Sequence, residues 1–349
     1  IGTGVGAFTA LVILIFLFGK FFKKYRKFFN NNNDIAPESR SNIYSVLFAT
    51  MFPIILSSTI YNLTTVFDDL LFSNVLTFMK SELNIVVLWG IFGNYHLLFN
   101  IPVAISNALT SSIIPSISSS VAIKDSREVV LKTKYSVKYT MLIVIPAFVG
   151  LIILADPICK VLFKENVDML ISVLRVGSIA VVFFSLSTVT NGILQGLGLY
   201  NIPLKNAVIS FIVHIVVCLI LLVPFNLNIY AIVIGMTFFA LVQSILNQRV
   251  INRMVRYKNA AFQRRYILTY FLMIFSACIM GVVVYFTNAF LSNTIFTSGS
   301  TISIWIRLII CIGIAVIIYT MLVVILGVVR KGDAAYMPLL SKVNRILRN

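Results

Sequence analysis

The chain has 349 residues, 59% of them hydrophobic and 11% charged, with a mean hydropathy of +0.99. Soluble domains carry about 25% charged residues, so this composition excludes a soluble globular protein, which would lack the polar surface to cover such a core. The net charge of +17 lies in short Lys/Arg clusters between continuous apolar runs. That is the pattern of cytoplasmic membrane loops, not of a nucleic-acid surface, and it also excludes a barrel of alternating strands.

The apolar runs predict an all-α polytopic membrane protein with about nine transmembrane helices. The first covers 1–19. Its basic segment, with Lys20, Lys23, Lys24, Arg26 and Lys27, follows the run instead of preceding it, the reverse of a signal peptide. The segment 20–42, with the run Asn30 to Asn33 and Pro37, reads as a basic, Asn-rich cytoplasmic linker. The second and third spans, 43–76 and 85–122, are too long to cross a bilayer straight, and Pro53, Pro102 and Pro115 offer places to bend. The remaining spans are 137–155, 169–197, 206–225, 229–247, 266–288 and 303–328. The tail, 329–349, places Leu339, Val343 and Leu347 on one helical face and Lys342, Arg345 and Arg348 on the other, as in an amphipathic helix lying on the inner leaflet.

Basic residues orient these spans. With nine crossings, 23 of the 28 Lys and Arg fall on one side: the five after the first span, Arg40, Lys124, Arg127, Lys132, Lys134, Lys138, Lys205, Arg249, Arg253, Arg256, Lys258, Arg264, Arg265, Arg330, Lys331, Lys342, Arg345 and Arg348. The opposite loops hold only Lys80, Lys160 and Lys164. The basic side, with the C-terminus, is therefore expected to be cytoplasmic, where its loops would meet anionic lipids. The first span then enters from outside, and a cytoplasmic N-terminus would need an odd number of earlier spans. The expectation is the rear part of a longer chain.

Ionisable groups inside apolar runs are costly and so are functional candidates. Asp68 and Asp69 end the stretch from Phe52 to Phe72; adjacent helical residues point about 100° apart, so one at most readily faces a bundle interior. They read as a carboxylate taking a proton, a cation or an Arg partner, or as a wet helix end. Arg175 suits a phosphate or the outer headgroups. Arg307, beside Trp305, reads as an interfacial anchor, and His96 and His214 as lone hydrogen-bonded histidines. In the third span Asn100, Ala104, Asn107 and Ser111 recur at helical spacing, with Asn94 and Tyr95 above them. Such a stripe would not face lipid; it packs in a helix seam or, the favoured reading, lines a wet cavity. Cys159, Cys218, Cys278 and Cys311 make no CxxC pair and read as core residues without a metal site. No nucleotide-binding motif is present, and Gly2, Gly4 and Gly6 open an apolar span where a dinucleotide loop would follow a strand.

Three stretches carry a resemblance. They are Thr59 to Phe72 (TIYNLTTVFDDLLF), Gly93 to Ser118 (GNYHLLFNIPVAISNALTSSIIPSIS), and Asn191 to Gly198 (NGILQGLG) followed by Pro203. In this order they resemble the seventh, eighth and tenth helices of the polysaccharide transporter branch of the multidrug/oligosaccharidyl-lipid/polysaccharide (MOP) superfamily, near stage V sporulation protein B and lipid II flippase-like proteins. The resemblance implies that 1–19 is the last helix of a first lobe, 43–247 a six-helix second lobe, and 248–328 two extra C-terminal helices with their basic loop. It implies alternating-access flipping of a lipid-linked saccharide of the undecaprenyl-diphosphate type across a bacterial plasma membrane, coupled to an ion gradient or the membrane potential, without a cofactor. A multidrug/cation antiporter of the same superfamily is the alternative. A membrane enzyme of polysaccharide assembly is disfavoured by the short outer loops.

Overall fold

The computed structural model describes residues 2–30, 39–79, 84–255, 260–294 and 300–329. Among them are ten α-helices, in order α1 Gly2–Asn30, α2 Arg40–Phe78, α3 Ile85–Ala122, α4 Ser126–Ile153, α5 Ala155–Leu162, α6 Val167–Gly196, α7 Asn201–Leu222, α8 Ile229–Met254, α9 Ala260–Thr294 and α10 Thr301–Ile325. Nine of the described helices, all but α5, are long and apolar enough to cross a membrane. The expected helix count thus holds, and α5 is an addition: the run around 137–155 ends at Ile153, and after Leu154 a separate short helix starts at Ala155. The expected amphipathic tail lies outside the described residues.

The chain divides into two compact units, Ile1–Met51 and Phe52–Asn349. In the first, α1 is apolar around its whole circumference, with Leu11, Ile13, Ile15, Phe16 and Phe18 all exposed; a helix of that kind is dressed for lipid. It continues to Asn30, so the basic residues Lys20, Lys23 and Arg26 ride on the end of the same helix, where cations favour the helix dipole.

In the second unit α6 is the central helix, flanked by α3, α4, α5, α7 and α8. Its sequence explains the position. Gly177, Ser178, Ala180, Ser185, Ser187, Thr190, Gly192 and Gly196 are all buried, and small residues let backbones approach closely where apolar attraction between helices is weak. A Cβ at Gly177 would strike the ring of Tyr95, and one at Gly192 would strike Thr110; α3 therefore lies in a groove that α6 leaves open. An aromatic row fills the space beside it. Phe72 stacks on Trp89 (5.9 Å), Trp89 on Phe92 (4.8 Å), and Phe99 meets Phe184 edge-on (4.9 Å). A second core joins α4 to the pair α9 and α10 through Met141, Met273, Met280, Cys311 and Val323.

Helix ends follow local chemistry. The Asp125 carboxylate accepts from the Glu128 amide (3.0 Å), with Glu128 placed as in a capping box. Gly198, at φ +78°, ends α6: its N–H donates to Gln195 O and that of Leu199 to Leu194 O (both 2.9 Å), a left-handed cap that suits glycine. The long helices α2 and α3 stay continuous through Pro53, Pro102 and Pro115. At 38 residues α3 is about 57 Å long, so it extends well beyond a hydrocarbon layer about 30 Å thick.

Candidate functional site

The interior face of α2 carries Pro53, Ser57, Thr64, Asp68, Leu71 and Phe72, all buried. This spacing of three, four and seven residues is one helical stripe. It settles which of the two aspartates turns inward: Asp68 is fully buried, and Asp69, about 100° around the helix, is exposed.

Asp68 meets His214 of α7, also fully buried. His214 Nε2 donates to Asp68 Oδ1 at 2.6 Å. Cys218, one turn further along α7, holds its Sγ 3.7 Å from each ring nitrogen and 3.8 Å from the Ala231 carbonyl of α8. Gly235 of α8 faces this cluster so closely that a Cβ there would strike the Cys218 sulfur. Phe211 and Phe239 close the site from two sides. Asp68 Oδ2 has no hydrogen-bond partner among the described residues. An ionised carboxylate oxygen left bare in an apolar interior is costly, and a proton or a cation on Oδ2 would remove that cost. One donor atom each from Asp68, His214 and Cys218 lies within 4.8 Å of the others, which is metal-ligand spacing. A soft or borderline ion suits such an O, N, S set, and the Nε2–Oδ1 hydrogen bond is the contact it would have to replace.

Two turns back along α2 a second polar cluster begins at Tyr61. Its hydroxyl makes a short hydrogen bond with that of Ser187 and accepts from Asn191 Nδ2 (3.2 Å). Asn191 Oδ1 accepts from Asn247 Nδ2 (2.7 Å) and Gln243 Nε2 (3.3 Å); Asn247 also donates to Thr190 (3.1 Å) and accepts from Asn206 Nδ2 (2.8 Å). One connected network thus ties α2, α6, α7 and α8 together. Its members Asn206, Gln243 and Asn247 are buried, and hydrogen bonds within such a network reinforce one another.

The sequence candidates fall in three separate places. Asp68 belongs to the α2–α7 pair. Asn100, Asn107 and Ser111 are exposed on one face of α3, with Asn100 Nδ2 at 2.9 Å from His96 Nδ1 and the Ser111 hydroxyl donating to Asn107 O (3.0 Å). Arg175 is exposed on α6, Asn94 is half-buried, and Tyr95 is buried, its hydroxyl donating to Gly177 O (3.0 Å). Cys278 is exposed and so is not the core residue expected; Cys159, Cys218 and Cys311 are buried. Sequence reasoning passed over Tyr61, Asn191, Asn206, Gln243 and Asn247, and read Cys218 as a core residue and His214 without its partner. A signal existed: Asn206, Ser210, His214 and Cys218 recur every four residues on α7, all buried, the same periodicity that singled out α3.

Among the described residues, nine membrane-length helices, a bundle built on α6, and a further pair α9–α10 define an all-α, multi-pass membrane protein. Residues 1–329 match the family model described as lipid II flippase MurJ, and the chain belongs to that family. A solved lipid II flippase MurJ in an inward closed conformation is similar in fold, with 15% identity and a TM-score of 0.57 over 86% of this chain and 59% of that one. The chain therefore spans less than two thirds of that flippase's length. An outward-facing multidrug resistance MATE family transporter of the MOP superfamily is 15% identical, with a TM-score of 0.47 over 82% of this chain and 66% of that one. A MOP superfamily transporter from Pyrococcus furiosus is also 15% identical, with a TM-score of 0.48 over 78% and 63%. No curated protein matches the sequence.

Proposed function

We propose that the chain works in a flippase that moves a lipid-linked saccharide, of the undecaprenyl-diphosphate class and most simply a peptidoglycan precursor, outward across a bacterial plasma membrane. Membership of the lipid II flippase family over residues 1–329 carries this reading. The geometry supports it at one place. Asn100, Asn107 and Ser111 form a polar face on α3 that is exposed, not packed in a seam of this bundle. Polar groups have no partner in hydrocarbon, so such a face suits a wet cavity in which sugar hydroxyls replace water.

In this proposal 43–247 serves as one lobe of an alternating-access machine and α9–α10 as an accessory pair, with the basic loops and C-terminus in the cytoplasm. Arg175 is the residue suited to a diphosphate. The Asp68–His214 pair is where an ion gradient or the membrane potential would act, because a proton or cation on Oδ2 changes the charge of a site that touches α2, α7 and α8.

Complementation tests the reading. In cells depleted of their own lipid II flippase, the complete gene should restore growth. Asn100→Leu and Asn107→Leu should weaken rescue with membrane abundance near normal, and Asp69→Asn, on the exposed side of α2, should rescue fully. Unimpaired rescue by the double Asn variant would remove the cavity from the proposal; export of a cationic dye without rescue would favour the antiporter.

A further inference from the structure

A cavity of about 550 Å³ opens between α4, Leu186 of α6, the C-terminal end of α8 and the first turns of α9, and shares no lining residue with the Asp68 site or the α3 stripe. It falls within the range of small-molecule sites, and its lining is divided. Val137, Met141, Leu186, Val255 and Ile267 form an apolar wall. Lys134, Gln248, Asn252 and Tyr266 supply polar groups at its rim.

The rim is organised. The Lys134 ammonium lies 5.3 Å from the centroid of the Tyr266 ring. The Tyr266 hydroxyl donates to the Lys134 carbonyl (3.2 Å), Tyr270 donates to Tyr266 (2.5 Å), and Gln248 Nε2 donates to Asn252 Oδ1 (2.8 Å). The two Tyr266–Lys134 contacts fasten α9 to α4 and hold the ammonium beside the ring. Arg249 and Arg253 are exposed on the last two turns of α8. The Asp125 carboxylate at the start of α4 is engaged in its N-terminal cap. None of the lining residues is acidic. On the outer side, Ile267 is 69% exposed, as a lipid-facing residue would be.

From this juxtaposition of a fixed ammonium, an amide-bearing rim and an apolar wall open to the membrane, we infer that the α4–α8–α9 cavity is a binding site for an anionic phospholipid of the surrounding leaflet. The phosphate sits at Lys134 and the Asn252 amide; one acyl chain lies along Val137, Met141 and Leu186. Basic clefts between spanning helices select acidic headgroups in this way, each cation near the surface contributing roughly a fivefold gain in affinity. The bound lipid would hold α9 against α4 at the charged end of the bundle.

The full chain, purified and delipidated, is offered phosphatidylglycerol and phosphatidylcholine at equal concentration, and retained lipid is counted by native mass spectrometry. Phosphatidylglycerol should be retained preferentially, by about fivefold or more. Lys134→Gln should erase the preference, Lys134→Arg should keep it, and Asn252→Trp, at an exposed rim position, should lower retention of both lipids without changing the melting temperature. Equal retention of the two lipids overturns the inference, as does unchanged retention by Asn252→Trp. So does displacement of phosphatidylglycerol by equimolar undecaprenyl phosphate, which would make the cavity a substrate-tail site. The readout involves no transport, so its failure is distinguishable from failure of the flippase reading.

Discussion

Asp68 and His214 are 146 positions apart in sequence and 2.6 Å apart in space. A buried pair of this kind contributes little net stability over an apolar pair, but removing one partner strands the other. His214→Leu should therefore lower the melting temperature sharply, since Asp68 loses its donor at a cost of about 1–3 kcal/mol. Asp68→Leu with His214→Leu should recover much of the loss while remaining inactive in transport. Thermal unfolding in detergent beside a transport assay separates the two effects; a double variant no more stable than His214→Leu would show that the pair is not the unit described. At Gly177 the argument is steric. A methyl there meets the Tyr95 ring, and overpacking of that order costs about 1–3 kcal/mol, so Gly177→Ala should unfold at lower temperature and Gly177→Ala with Tyr95→Leu should regain part of it.

Between elements, the amide network decides how rigidly α2, α6, α7 and α8 move together. Asn247 is its hub, hydrogen-bonded to Asn206, Thr190 and Asn191 on two other helices. Asn247→Leu leaves Asn206 and Asn191 without it, at about 1–3 kcal/mol, and should loosen the α6–α7–α8 contact. Faster amide exchange in these helices, with α9 and α10 unchanged, is the expected signature; uniform protection across the chain would contradict it. This network was largely illegible in the sequence. Long apolar runs announce helices because burial in lipid needs length and continuity, and all nine spans were readable for that reason. Partner choice across helices depends on rotation about each axis, which composition does not encode: Asp68 and Asp69 looked alike until packing turned one inward. α5 was missed because eight residues with Asp156 and Lys160 carry no membrane-length signal.

For the molecule, orientation is the first thing to measure. In a background without the four native cysteines, Asn293→Cys at the end of α9 should react with an impermeant thiol reagent added outside intact cells, and Arg253→Cys at the end of α8 should not. Labelling of Arg253→Cys from outside would invert the scheme. The α3 face that sequence periodicity singled out as polar is exposed in the structure, and the proposed cavity turns on it. The most direct test is flipping itself: the complete protein in vesicles loaded with a lipid-linked peptidoglycan precursor, with arrival of the saccharide at the far leaflet read by an impermeant labelling reagent. The account predicts translocation by the wild type, and a drop of about tenfold or more in Asn100→Leu/Asn107→Leu, as expected for the loss of two substrate hydrogen bonds. A wild-type protein that leaves the saccharide on the side where it began, under a membrane potential and ion gradients of either sign, would contradict it.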